Sequence, residues 1–170
     1  MKVLVTYLSW SGNTRRVGEA IFQQIDAEKE IKPLGEVHGV EDYDLIFVGF
    51  PIHGFGEPAE EAVEFMNKQC GGKKVALFIT HGAGAESPYV AGWIESCRAA
   101  AGRTLCLGIF NCEGQIAQER IDMMLRHPDP KMNELGKLVA VASKGQPDAA
   151  RLERARDFAR RMVEQAKRSS

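Results

Sequence analysis

Six consecutive residues concentrate the chemistry of this chain: Ser9-Trp10-Ser11-Gly12-Asn13-Thr14. Ser9, Ser11, Asn13 and Thr14 bring side-chain hydrogen-bonding groups at close spacing, and Gly12 lets the backbone fold tightly around a bound group. The run follows a β-branched, apolar stretch at residues 2–8 and opens a helical pattern at residues 15–25. The first N–H groups of a helix have no intrahelical acceptor and carry partial positive charge, so an anion suits this place. No Lys sits inside the loop as in a nucleoside-triphosphate P-loop, and G-x-G-x-x-G is absent. Hydroxyl donors without a lysine fit a phosphate monoester. The simpler alternative is a helix cap made by Ser11 or Asn13.

Two further glycine-bearing runs follow apolar stretches in the same way: Pro51-Ile52-His53-Gly54-Phe55-Gly56 and Thr80-His81-Gly82-Ala83-Gly84-Ala85. The first offers rings and closely approachable backbone. The second offers mainly backbone N–H groups. In an open parallel sheet, ligands bind outside the carboxyl ends of the strands where strand order reverses, so three such loops are expected to converge.

The elements that would position them alternate strand and helix. Strands are expected at residues 2–8, 31–37, 44–50, 75–80 and 104–111, the second of them weak because Pro33 and Gly35 interrupt it. The near-continuous apolar runs at 44–50 and 75–80 suit strands buried on both faces. Helices are expected at 15–25, after Pro58 (apolar stripe Ala59, Ala62, Val63, Met66), after Ser87-Pro88 (Val90, Ile94, Cys97, Ala101) and at 149–167 (Leu152, Ala155, Ala159, Met162, Val163). This order predicts an α/β fold with a doubly wound, five-stranded parallel sheet in one domain. Residues 113–147 are too long for a loop and read as an insertion at the sheet edge, with helical stretches at 115–125 and 133–143 separated by Arg126-His127-Pro128-Asp129-Pro130.

Composition narrows the function. The chain has 170 residues, 44% hydrophobic and 26% charged, with 22 Lys plus Arg against 23 Asp plus Glu. A net charge of -1 gives no whole-chain field for nucleic acid or an anionic membrane. No apolar run reaches the ~18 residues of a membrane span, and the start lacks a signal-peptide pattern, so a cytoplasmic protein is expected. Cys70, Cys97, Cys106 and Cys112 form no C-x-x-C and read as free thiols. His38, His53, His81 and His127 form no ligand pair, so no metal site is expected. No nucleophile or acid–base constellation stands out, and no catalytic residue is assigned.

The segment from Val3 through Thr14 resembles the first strand and phosphate loop of the flavodoxin family, whose pattern [S/T]-x-[S/T]-G-x-T is matched by Ser9, Ser11, Gly12 and Thr14. Tyr43-Asp44-Leu45-Ile46-Phe47-Val48-Gly49-Phe50-Pro51 is similar to the strand entering a flavin-facing loop. Val75-Ala76-Leu77-Phe78-Ile79-Thr80-His81-Gly82 is similar to the next strand and second flavin loop. The resemblance covers about residues 1–112 and resumes at the last helix. It implies a flavodoxin-like sheet in the order 2-1-3-4-5 and a bound FMN carrying electrons between redox protein partners, a reductase or an acceptor enzyme. The cofactor-binding set it implies is Ser9, Trp10, Ser11, Gly12, Asn13 and Thr14 for the phosphate. Pro51, Ile52, His53, Gly54, Phe55 and Gly56 would lie by the ring, and Thr80, His81, Gly82, Ala83 and Gly84 by its pyrimidine edge. Where flavodoxins usually flank the ring with Trp and Tyr, this chain has His53, Phe55 and His81, with Tyr89 a little beyond. Cys112 stands either near the flavin or as a structural thiol. The alternative function on the same fold is an FMN-dependent NAD(P)H:quinone-type oxidoreductase, with the insertion building a substrate pocket or a dimer surface.

Overall fold

The structure is a computed structural model and describes residues 1–53, 56–84 and 87–169. Chain order is β1 (Lys2–Tyr7), α1 (Asn13–Gln24), β2 (Glu28–Pro33), a 3-10 turn (Leu34–Glu36), β3 (Leu45–His53) and β4 (Glu57–Pro58). Then come α2 (Glu60–Gln69), β5 (Lys74–His81), α3 (Val90–Ala100), β6 (Leu105–Glu113), α4 (Gln118–Leu125), α5 (Pro130–Ala142) and α6 (Ala149–Arg168). Five strands pair in parallel in the order β2-β1-β3-β5-β6. This is the expected doubly wound order. The sheet has one strand more than expected, the two-residue β4, which turns back antiparallel on the end of β3 through Ile52↔Pro58 and His53↔Glu57.

The sheet is covered on both faces, which is why β3 and β5 read as unbroken apolar runs. Alternate side chains of β3 point opposite ways. Ile46, Val48 and Phe50 pack with Ala62 and Met66 of α2 and Cys97 of α3. Leu45 and Phe47 pack with Val17 and Ile21 of α1 and Phe158 and Ala159 of α6. Phe65 and Phe158 join these two cores beyond the stripes expected from the sequence.

Several boundaries differ from expectation. Helix α1 starts at Asn13, so Asn13 and Thr14 belong to its first turn rather than to a preceding loop. Strand β2 begins at Glu28 instead of 31, because pairing along β1 (Lys2↔Glu28 through Tyr7↔Pro33) recruits charged residues that no apolar pattern announces. Residues 34–36 turn into a 3-10 helix. Pro58 lies in β4, so α2 starts two residues later with Ala59 at its N-cap position. Pro88 and Tyr89 form a turn, and α3 starts at Val90 with no side-chain cap. The insertion is an antiparallel helix pair. Helix α4 stops before the proline-bearing break, and α5 restarts with the Asp129 carboxylate accepting from Lys131 N at 2.9 Å and Pro130 in the first turn.

Candidate functional site

The carboxyl ends of β1, β3 and β5 lie side by side, and the chain reverses direction across the sheet between β1 and β3. The crevice outside that reversal is where an open α/β sheet holds its ligand. Loops 9–12, 82–84 and 114–117 meet there, together with His53 at the end of β3 and Gly56.

The first loop is fixed at its start by Leu8 N, which donates to Gly49 O at 2.8 Å. Gly12 turns the chain into α1 with φ +85°, a conformation glycine adopts without strain. The expectation of a Ser11 or Asn13 cap does not hold: Gly12 occupies the N-cap position and has no side chain to cap with. Asn13 Nδ2 instead donates to Ser11 Oγ and to Gln115 O, both at 2.9 Å, which ties the loop to the insertion. Ser9 Oγ accepts from Arg15 N at 3.2 Å. The backbone N–H groups of residues 10–14 have no acceptor among the described residues. The first turn of α1 holds no acid. The loop is therefore a cluster of unpaired donors at the positive end of a helix. A cleft of about 400 Å3 opens beside it, lined by Tyr7, Ser9, Gly12, Arg15, Pro33 and Leu34.

Thr14 is buried, and its hydroxyl lies 2.8 Å from that of Thr80 at the end of β5. One proton makes this bond and the other stays available, so the pair can still donate once toward the loop.

Pro51, Ile52 and His53 are not loop residues. They continue β3, because β4 returns along it and supplies pairing partners. Gly54 and Phe55 lie outside the described residues. Gly56 closes the turn, its N–H donating to His53 O at 3.1 Å. Gly56 has φ +124°, and a Cβ there would stand 2.1 Å from the Trp93 ring. Trp93 therefore packs directly against Gly56. Thr80 ends the expected strand, and His81 also belongs to β5, with Gly82 and Ala83 following as bends before Gly84.

The rings gather around these ends. Trp10 and His53 meet edge to face at 5.4 Å, His81 and Trp93 at 6.2 Å, and Tyr89 stacks on Trp93 at 6.5 Å with an 18° tilt. Trp10 and Tyr89 are 53% and 69% exposed, large apolar surface for residues at a strand-end crevice. Trp93 was missed in the sequence because it lies off the apolar stripe of α3; a Trp in the first turn of the helix that follows a glycine-rich loop was the available signal. His81 is buried: Nδ1–H donates to Ala83 O at 3.1 Å, and Nε2 meets the Asn111 side-chain amide at 3.0 Å. Its carbonyl accepts from Gly114 N at 2.9 Å, and Ile116 covers Gly82. Asn111, Gly114, Gln115 and Ile116 thus brace the site.

Cys112 is a structural thiol packed among Phe110 and the α6 side chains, and burial pushes it up to about 12. Among the described residues, no group of three or more His, Cys, Asp or Glu side chains could hold a metal, and no helix is long and apolar enough to cross a membrane.

An open, doubly wound parallel sheet with a donor-lined loop after its first strand defines the class of protein. The family model described as Flavodoxin domain matches residues 4–160, and the chain belongs to that family. The flavodoxin-like domain-containing protein BilS of Clostridioides difficile (strain CD3) is 34% identical over 125 residues, covering 69% of each chain. A flavodoxin from the domain Archaea shares the fold at TM-score 0.61 and 18% identity, over 98% of this chain and 99% of that one. A Lactobacillus acidophilus NCFM flavoprotein solved in complex with FMN shares it at TM-score 0.52 and 20% identity, over 71% of this chain and 96% of that one.

Proposed function

We propose that this chain binds FMN at the ends of β1, β3 and β5 and passes electrons between redox protein partners. The observation that carries the reading is the loop of unpaired N–H groups at residues 10–14, which opens on a helix without an acid in its first turn. These donors fit a phosphate monoester, and the rings of Trp10, His53, Tyr89 and Trp93 fit a planar heterocycle beside it. Membership in the flavodoxin-domain family and the FMN held by a fold neighbour support the same ligand.

FMN supplies the redox chemistry when bound; the chain supplies binding and orientation. In this reading Ser9, Trp10, Ser11, Gly12, Asn13 and Thr14 hold the phosphate. Pro51, Ile52, His53, Gly54, Phe55 and Gly56 line the ring on one side. Thr80, His81, Gly82, Ala83 and Gly84 present backbone donors to its polar edge, and the Ala83–His81–Asn111 hydrogen bonds keep that edge in one shape. The insertion covers the loop at residues 82–84 at one point, where Ile116 packs on Gly82.

The test is the flavin released on denaturation. FMN as the dominant species supports the reading, and FAD, or failure to take up FMN, overturns it. An NADH or NADPH oxidation assay with a quinone then separates the two functions of this fold. A carrier oxidises neither nicotinamide until a partner reductase is added. The quinone-reductase alternative draws support from α5, whose Ala142 reaches Gly84 while Leu138 and Val141 remain exposed, an apolar wall at the mouth of the crevice.

A further inference from the structure

The two edges of the sheet are built differently. Strand β2 carries Glu28, Lys29, Glu30, Lys32 and Pro33, the residue types that keep an edge from pairing with another chain. Strand β6, the opposite edge, reads Leu105-Cys106-Leu107-Gly108-Ile109-Phe110-Asn111-Cys112-Glu113, with no Lys and no Pro. Leu105 is 54% exposed. A register slip after Cys106 leaves the strand regular from Gly108 onward. Beside this edge runs a groove of about 530 Å3 lined by Phe110, Asn111, Arg154, Asp157, Arg161 and Glu164.

The last four of these lie on one flank of α6, all exposed, with charges that alternate plus, minus, plus, minus. Their spacing reads the same in reverse with opposite sign. Two copies of α6 laid antiparallel about an axis at Ala159 set each Arg154 against the partner's Glu164 and each Asp157 against the partner's Arg161. Neither Arg154 nor Arg161 has a carboxylate partner among the described residues; Asp157 pairs with Arg160 and Glu164 with Arg168. Helix α6 runs antiparallel over β6, with Met162 at Gly108 and Phe158 against Phe110, so Ala159 stands over the middle of the strand. One axis therefore satisfies both elements.

We propose that the chain forms a two-fold dimer in which the outer edges of β6 meet antiparallel and the α6 flanks interlock by charge. The axis crosses mid-strand, away from the strand ends, so both crevices stay open. The proposal does not rest on the function proposed above.

Sedimentation velocity of the full chain over a wide concentration range tests it. The native chain should dimerise, more weakly as salt rises. R154E/R161E should weaken association by roughly 10- to 100-fold, the sum of several exposed like-charge contacts. Adding D157R/E164R restores the alternation with inverted sign and should recover the dimer, while this four-residue variant should not pair with the native chain. A native chain that stays monomeric overturns the proposal. So does a dimer indifferent to R154E/R161E and to salt, or a four-residue variant of native helical content that remains monomeric.

Discussion

Glu113 ends β6 at 5% exposure, and Arg151 at the start of α6 holds both its oxygens, Nε to Oε2 at 2.5 Å and Nη2 to Oε1 at 3.0 Å. The Arg151 guanidinium holds the Glu113 carboxyl below the usual carboxylate range. A carboxylate lowered on folding stabilises the native state above its unfolded pKa of about 4.3, and that stability is lost as pH falls through the lowered native value. Glu113→Gln should therefore destabilise the protein by about 3 kcal/mol at neutral pH, since it leaves a partly buried guanidinium unpaired. The difference should shrink on acidification, as the native carboxyl becomes neutral too; urea titrations at both pH values measure it. Thr14 lies in the candidate site itself. Thr14→Ala should weaken FMN by roughly 10- to 100-fold, the range for losing a hydrogen bond to a charged group. Riboflavin, which lacks the phosphate, should weaken much less, and equal losses for the two ligands would indicate damage to the Thr14–Thr80 contact and the fold. The Thr14 motif was legible as six adjacent residues. Its partner Thr80, 66 positions away, was legible as the last residue of a strand and the first of a loop but not as a partner of Thr14, because a hydroxyl pair across two elements leaves no local pattern.

At the scale of elements, the α4–α5 pair turns on Gly136, where a Cβ would lie 2.8 Å from Met124 Cβ and 3.2 Å from Leu125 N. Backbone so near another helix leaves no room for a side chain. Asn133 Nδ2 also donates to Leu125 O across the same junction. Gly136→Val should cost about 1–3 kcal/mol locally by overpacking. Hydrogen exchange should speed up in residues 118–142 while β1, β3 and β5 keep their protection; uniform loss of protection would show that the insertion is integral to the main core. The sequence disclosed the elements with a strong apolar period and blurred those decided by partners. Strands β1, β3, β5 and β6 and helix α6 were legible because two-sided or one-sided burial writes a run or a stripe. Strand β2 was displaced because its charged residues are strand only by pairing with β1. Strand β4 was invisible because two residues carry no period. The start of α3 was misplaced because Ser87-Pro88 has the chemistry of a cap without serving as one.

For the whole molecule, the candidate site is assembled from segments far apart in sequence: residues 9–14, 51–53 with Gly56, 80–84 and the bracing 111–116. A ligand that bridges them binds only the folded chain, and its free energy adds to global stability. Saturation at about 100 times Kd adds roughly 2.7 kcal/mol, which for a chain of this size raises Tm by roughly 5–10 °C. Calorimetry of the flavin-stripped protein should therefore find a higher Tm with FMN than with the same concentration of riboflavin. The gap between the two reports the loop at residues 10–14, whose N–H groups only the phosphate can use. The single transition should move as a unit, because β1, β3 and β5 share both cores with α1, α2 and α6. Equal shifts with both flavins would remove the phosphate loop from the binding reading while leaving the ring site in place. No shift with either would leave a flavodoxin fold whose strand-end crevice serves another ligand.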